Sequence, residues 1–334
     1  MQSQSTATSL AAGPFAPTDF RSYLEQSLRN PFTLDLKDCN LVEVVLACVK
    51  AKSKLHPNYR SNISSLLYNL RALESEYRVT LYPIQVTDIF WGYFVGFCQG
   101  RGLRSSSIET MCNQLRSVLN WAVKYNATAS PTYNEINFHK TANQKIALTA
   151  DEVSRVTYFD IQLFYADRRH DFRETMEKVR DMFVLSCNLG QRHSDMVRIS
   201  PSCFERNIFR ISQQKTGNLA VVNIDKYAID AKTTYRILEK YGYCAPYRCE
   251  IGNYNGYLHL LLKDVGLNET VRLEEKRGGK MVVENVPKWK MVSSHTARRT
   301  FITINVLRGN NIHDVKRCSG HSDLRCLEQY VRDE

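Results

Sequence analysis

Around residue 130 the hydrophobic pattern of this chain changes, and one kind of layer cannot accommodate both halves. From about Leu36 to Tyr125, apolar residues recur three and four apart, as on the buried face of a helix. LVEVVLACVK is followed by NYRSNISSLLYNLRALESEYRV, VTDIFWGYFVGFCQGRG and RSSSIETMCNQLRSVLNWAVKYN, which make a bundle of about four helices. Thr87 or Asp88 suits the N-cap of the third, and Gly100 and Gly102 its stop. Capping chemistry for the fourth lies at Ser107 through Glu109. Residues 126–148 break the period with short polar residues and Pro131.

Beyond Leu148 the pattern is mixed. LTADEVSRV reads as a helix capped by Thr149, and DFRETMEKVRDMFVLSCNL as a buried helix. CFERNIFRIS and LAVVNI are β-like runs joined by the polar turn QQKTGN. NYNGYLHLLLKDVGL is helical. Three short helices follow, SSHTARRTFITINVLRG, NIHDVKRCSG and SDLRCLEQYVRDE, divided by glycines. The expected fold is mainly α with a small β-sheet. Residues 1–35 read as a flexible tail and N-terminal arm, 36–130 as a helical domain, 131–147 as a linker and 148–334 as a mixed α+β domain. A length of 334 residues suits two domains better than one core.

The charge balance, 45 − 34 = +11, favours a polyanionic partner, because Lys and Arg release counterions when they neutralise phosphates. Ten cysteines include no C-x-x-C pair, and Cys48 and Cys187 lie in apolar runs. They read as buried thiols in a reducing compartment, and no metal or cofactor is expected. The N-terminus lacks a basic segment followed by a long apolar run, and nothing reaches the roughly 18–20 apolar residues of a membrane span. A soluble cytoplasmic protein is expected.

The second domain carries residue types suited to phosphoryl transfer in a telling order. Arg192 lies in LGQRHSD after a helix and a glycine turn. Lys215 lies at the tip of the expected hairpin. His295 and Arg298 form His-x-x-Arg, which puts both on one helix face. His321 follows Gly320, and Tyr330 comes nine residues later. Cleaving a DNA strand while conserving bond energy needs a nucleophile for phosphorus, cations for the non-bridging oxygens, an acid for the departing 5′ oxygen and a base for the nucleophile. Tyr suits the first role. Arg suits the second, because its planar fork pairs with two phosphate oxygens and stays charged.

This order resembles the tyrosine recombinases, the integrase class that moves phages, transposons and conjugative elements. The resemblance covers about 148–334, and extends more weakly to 36–130, which looks like that family's helical core-binding domain, a SAM-like bundle. It implies that Arg192 and Arg298 clamp the scissile phosphate and that Lys215 protonates the 5′ leaving oxygen. His295 would assist proton transfer with the nucleophile, His321 would hydrogen-bond a non-bridging oxygen, and Tyr330 would form a 3′-phosphotyrosine. Asp195 would be structural support. The implied partner is double-stranded DNA, held by a homotetramer on two sites and by a monomer or dimer off DNA, with room for an accessory DNA-bending or directionality protein. Neither metal nor ATP is implied. Two motifs depart from the family pattern. Leu-Gly-Gln-Arg stands for Thr-Gly-Leu-Arg, and Ser-Gly-His for Leu-Gly-His; neither change touches a reacting group. Four residues follow Tyr330, where many relatives carry a longer tail that packs on a neighbouring subunit.

Each element alone has a plainer explanation. A His-x-x-Arg pair is usually solvated or core, a Gly-His is often a helix stop, and a lysine in a polar turn is by default a surface lysine. Only the joint order points to strand exchange. A non-catalytic DNA-binding regulator would lack a clamp residue or the nucleophile, and none is missing. A type IB topoisomerase-like relaxase shares the chemistry. Arg299 reads as a backbone-phosphate or surface contact, His193 as exposed or supporting, His313 as a cap or surface residue, and the aromatics of DIFWGYFVGF as core.

Overall fold

The computed structural model describes residues 35–53, 59–135, 144–324 and 327. The expected tail and arm up to residue 34, part of the expected linker, and the last expected helix with Tyr330 lie outside the described residues, apart from Ser322–Leu324 and Leu327. The chain divides into two compact units, Met1–Asn143 with Glu275–Val282, and Gln144–Glu274 with Val283–Glu334.

The first unit holds helices α1 (Leu41–Ser53), α2 (Tyr59–Tyr77), α3 (Asp88–Gly100) and α4 (Ser105–Ala122). α1 packs on α2 and α4, and α3 on both α2 and α4. The three-and-four spacing produces this bundle directly: Ile63, Leu66, Leu70 and Leu73 of α2 meet Ile108, Met111, Leu115 and Leu119 of α4 in one core. α3 starts where expected, with Thr87 Oγ1 accepting the Phe90 N–H. Phe90, Trp91, Phe94 and Phe97 are core, as their spacing predicts, whereas Tyr93 is 68% exposed. α4 corrects its expected cap. The helix begins at Ser105, with Arg104 as N-cap and no side-chain cap bond.

The second unit is built around α7 (His170–Leu189), whose residues from Met182 to Leu189 are all buried. Around it pack α5 (Ala150–Thr157), α10 (Ala231–Lys240), α11 (Ile251–Asp264) and α12 (Ser294–Leu307). Thr149 caps α5 in a full capping box with Glu152. The single-turn helices α6 (Ile161–Phe164), α8 (His193–Met196) and α9 (Ile224–Tyr227) are connectors. The expected hairpin is a three-stranded antiparallel sheet in the order β1 (Phe204–Glu205), β2 (Ile208–Ser212), β3 (Leu219–Asn223). A turn at Arg206, φ +54°, divides the run CFERNIFRIS into β1 and β2. β3 packs on α13 (Ile312–Ser319).

A second sheet pairs β4 (Thr270–Arg277) with β5 (Lys280–Pro287). It was not anticipated. Gly278 and Gly279 turn it, both with positive φ, as a two-residue hairpin of the twist-matched kind requires. The fold is mainly α with small antiparallel sheets.

Candidate active site

Three chain reversals and one helix face build the site. The first reversal ends α7 at Gly190, whose φ of +67° is left-handed. A Cβ there would lie 2.4 Å from Phe301 Cδ1, so a side chain would be both strained and obstructed. The chain then passes through buried Gln191 and presents Arg192 as the N-cap residue of α8. Arg192 Nη1 donates to Gln213 Oε1 at 2.6 Å.

The second reversal is the turn between β2 and β3. Gly217 N–H donates to Gln213 O at 2.8 Å, and Gln213 N–H to Asn218 O at 2.9 Å. Lys215 stands exposed at the tip. Asp195, 0% exposed, fastens the turn: its Oδ1 accepts the Gln214 N–H at 2.8 Å and Arg198 Nη2 at 3.0 Å. Arg198 Nη2 also donates to Ser212 O at 2.7 Å. The support expected of Asp195 therefore goes to the turn that carries Lys215.

The helix face belongs to α12. Ser293 and Thr296 form its capping box, and Ser294 N–H donates to Asn255 Oδ1 of α11. His295 is partly buried and Arg298 is 0% exposed. Arg298 Nη1 donates to Gly190 O at 3.3 Å, which ties α12 to the first reversal. The third reversal, Gly320 at φ +65°, ends α13 and delivers His321. Both ring nitrogens of His321 lie 3.1 Å from Arg298 Nη2, and Nδ1 lies 2.8 Å from Ser319 Oγ.

Burial and positive charge keep both imidazoles neutral at ordinary pH. His321 is pushed down to about 3, first by burial and then by Arg298 and Arg192. His295 is pushed down to about 4, first by burial and then by Arg299, Arg298, Arg192 and Lys145. Among the described residues, these charged side chains acting on His295 are cationic. Such a place favours an anion, because a bound phosphate would relieve cation–cation repulsion.

Of the expected residues, Arg192, His295, Arg298 and His321 come together, the turn bearing Lys215 is anchored beside them, and Tyr330 lies outside the described residues. Two departures from the family pattern prove to be structural partners. Gln191 Oε1 accepts from Gln213 Nε2 at 3.0 Å, and the Ser319 hydroxyl contacts the His321 ring. His193 is buried against Tyr254 (ring centroids 4.6 Å apart) with Nε2 3.3 Å from Cys249 O, and burial lowers its pKa. His313 is exposed. Arg299 is partly buried and lines a cavity of about 600 Å³ with Lys145, Leu148, Thr303 and Arg308. Among the described residues no His, Cys, Asp and Glu group has a metal-binding arrangement, and no helix is long and apolar enough to cross a membrane.

No protein-family model and no curated protein matches the chain. Solved structures do. A lambda integrase dimer bound to a COC′ core site aligns with 95% of this chain and 87% of its own at 15% identity, TM-score 0.62. Lambda integrase residues 75–356 bound to DNA aligns with 88% of this chain and 98% of its own at 15% identity, also at 0.62. The Tn1549 transposon integrase in complex with a circular intermediate DNA aligns with 87% and 94% at 14% identity, TM-score 0.60. The fold of this chain is that of the tyrosine recombinases.

Proposed function

We propose that the chain is a site-specific DNA recombinase of a mobile element, which cuts and rejoins DNA through a 3′-phosphotyrosine. The observation that carries this reading is the convergence of Arg192, Arg298, His295 and His321 from three segments onto one electropositive place. In this reading the Tyr330 hydroxyl oxygen bonds to phosphorus as its proton leaves toward His295, whose neutral ring has a lone pair to receive it. The two guanidinium groups and His321 hold the non-bridging oxygens as charge builds. The bond to the 5′ oxygen breaks, and Lys215 protonates that oxygen. The 5′ hydroxyl of another strand then attacks the phosphotyrosine and releases Tyr330. One ester is exchanged for another, so no external energy source is required.

Double-stranded DNA is the proposed partner, in keeping with the net charge of +11 and with the DNA-bound integrases that share the fold. Assembly as a tetramer on two sites is proposed by analogy with the lambda integrase tetramer bound to a Holliday junction. The test is covalent capture. The protein is expressed in cells, lysed under denaturing conditions, and the DNA remaining on it is sequenced. The expected result is one recurrent site with protein on a 3′ end, and none from Tyr330→Phe. An adduct from Tyr330→Phe, or no adduct from the wild type, refutes the reading.

A further inference from the structure

The four polar valences of one buried amide join the three segments that carry Arg192, Lys215 and His321. Gln213 is 1% exposed. Its Oε1 accepts from Arg192 Nη1 at 2.6 Å and from Thr216 Oγ1 at 3.1 Å, inside its own turn. Its Nε2 donates to Gln191 Oε1 at 3.0 Å and to Ser319 O, at the end of α13, at 2.7 Å. A glutamine side chain offers two acceptor and two donor positions, and all four are taken. The approach of α13 depends on residue 320 having no side chain, because a Cβ on Gly320 would lie 2.5 Å from Gln213 Nε2. Gln191 is fixed in turn, its Nε2 donating to Leu189 O at 2.7 Å and Cys318 O at 2.8 Å.

The side chains nearest to glutamine in size and shape do not fill this position. Glutamate would turn two donors into acceptors facing Gln191 Oε1 and Ser319 O. Asparagine is one methylene short. Methionine matches the length and satisfies none of the four partners, leaving buried polar groups unpaired.

We infer that Gln213 is a positioning residue, held by Gln191, that sets the spacing between the Arg192 guanidinium, the Lys215 turn and the His321 ring. What that spacing serves rests on the reading under Proposed function; the spacing itself does not. In each case the chemistry belongs to the neighbour, and the glutamine acts through it.

The test uses the full-length protein and Gln213→Met, with Gln191→Met as a second variant that removes one of the four bonds together with the two from Gln191 Nε2 to Leu189 O and Cys318 O. The first measurement is backbone hydrogen exchange. The inference expects about tenfold faster exchange in residues 212–218 and 318–321, with α11 and the first unit unchanged, and for Gln191→Met a smaller change in residues 212–218, where only one of the four bonds is lost. Wild-type exchange in those segments overturns it, whether or not the protein cleaves DNA. The second measurement is single-turnover cleavage of a duplex carrying the captured site, with either oxygen or sulfur at the 5′ bridging position. A thiolate leaves without a proton. Displacement of Lys215 therefore slows the oxygen substrate about 100-fold and the sulfur substrate much less. Equal slowing of both substrates overturns the assignment of Gln213 to the placing of Lys215. Absence of cleavage by the wild type defeats the recombinase reading, and the exchange result still decides the role of Gln213.

Discussion

Acidification from pH 7.5 to 5.5 is expected to weaken the folded state through His295 and His321. Both have folded-state values below the ordinary 6.5, at about 4 and about 3. The unfolded chain therefore binds more protons than the native one across this window, and stability falls as pH falls. The stabilisation is fully present above pH 6.5 and declines toward the folded values. At pH 5.5 the loss is set almost entirely by the unfolded value, at about 1.4 kcal/mol per ring. Two rings give nearly 3 kcal/mol, and solvent reaching the open edge of each brings the sum to about 2 kcal/mol. Urea unfolding at the two pH values measures it. The control is the double variant His295→Gln/His321→Gln, which keeps the other histidines and should lose about 2 kcal/mol less than the wild type over the same interval. Equal losses in the two proteins would refute the picture of two neutral rings held among cations. A bound phosphate should act in the opposite direction, raising both values and flattening the wild-type dependence.

Gly190→Ala is expected to lower stability by about 2–4 kcal/mol, combining left-handed backbone strain with displacement of the Phe301 ring, and thermal unfolding will show it. Lys215→Ala should leave stability within about 0.5 kcal/mol because the side chain is exposed, while slowing covalent adduct formation about 100-fold on the captured site.

Helix placement was readable wherever apolar spacing and capping chemistry agreed. α5 begins at Thr149 and α3 at Thr87 because each hydroxyl meets a backbone N–H three residues on. α4 was misjudged at its start, since its N-cap is Arg104, which offers no capping oxygen. The β4–β5 hairpin carried its own signal in the pair Gly278–Gly279. Alternating charge in VRLEEKR hid it, because a strand without a deeply buried face lacks the apolar period that marks strands. In the site, the candidate side chains could be named from type and order because the chemistry proposed for them restricts them. Gln213, Gln191 and Ser319 were not, because a glutamine or serine acquires its role only from the partners that folding brings to it. The two departures from the family pattern were the available clue, and both fall within this hydrogen-bonded group.

The left-handed glycine that ends α13 has a consequence for how such chains can diverge. His321 is aimed by the number of residues in a short helix held against β3. Adding one residue upstream of Gly320 would turn the imidazole by about 100° and advance it by about 1.5 Å. No substitution elsewhere would restore its bearing on Arg298. Residue identities along α13 can drift so long as Val315 and Cys318 stay apolar and Ser319 keeps its hydroxyl on the His321 ring, whereas its length cannot. In this part of the molecule, insertions and deletions are the changes that selection should remove first.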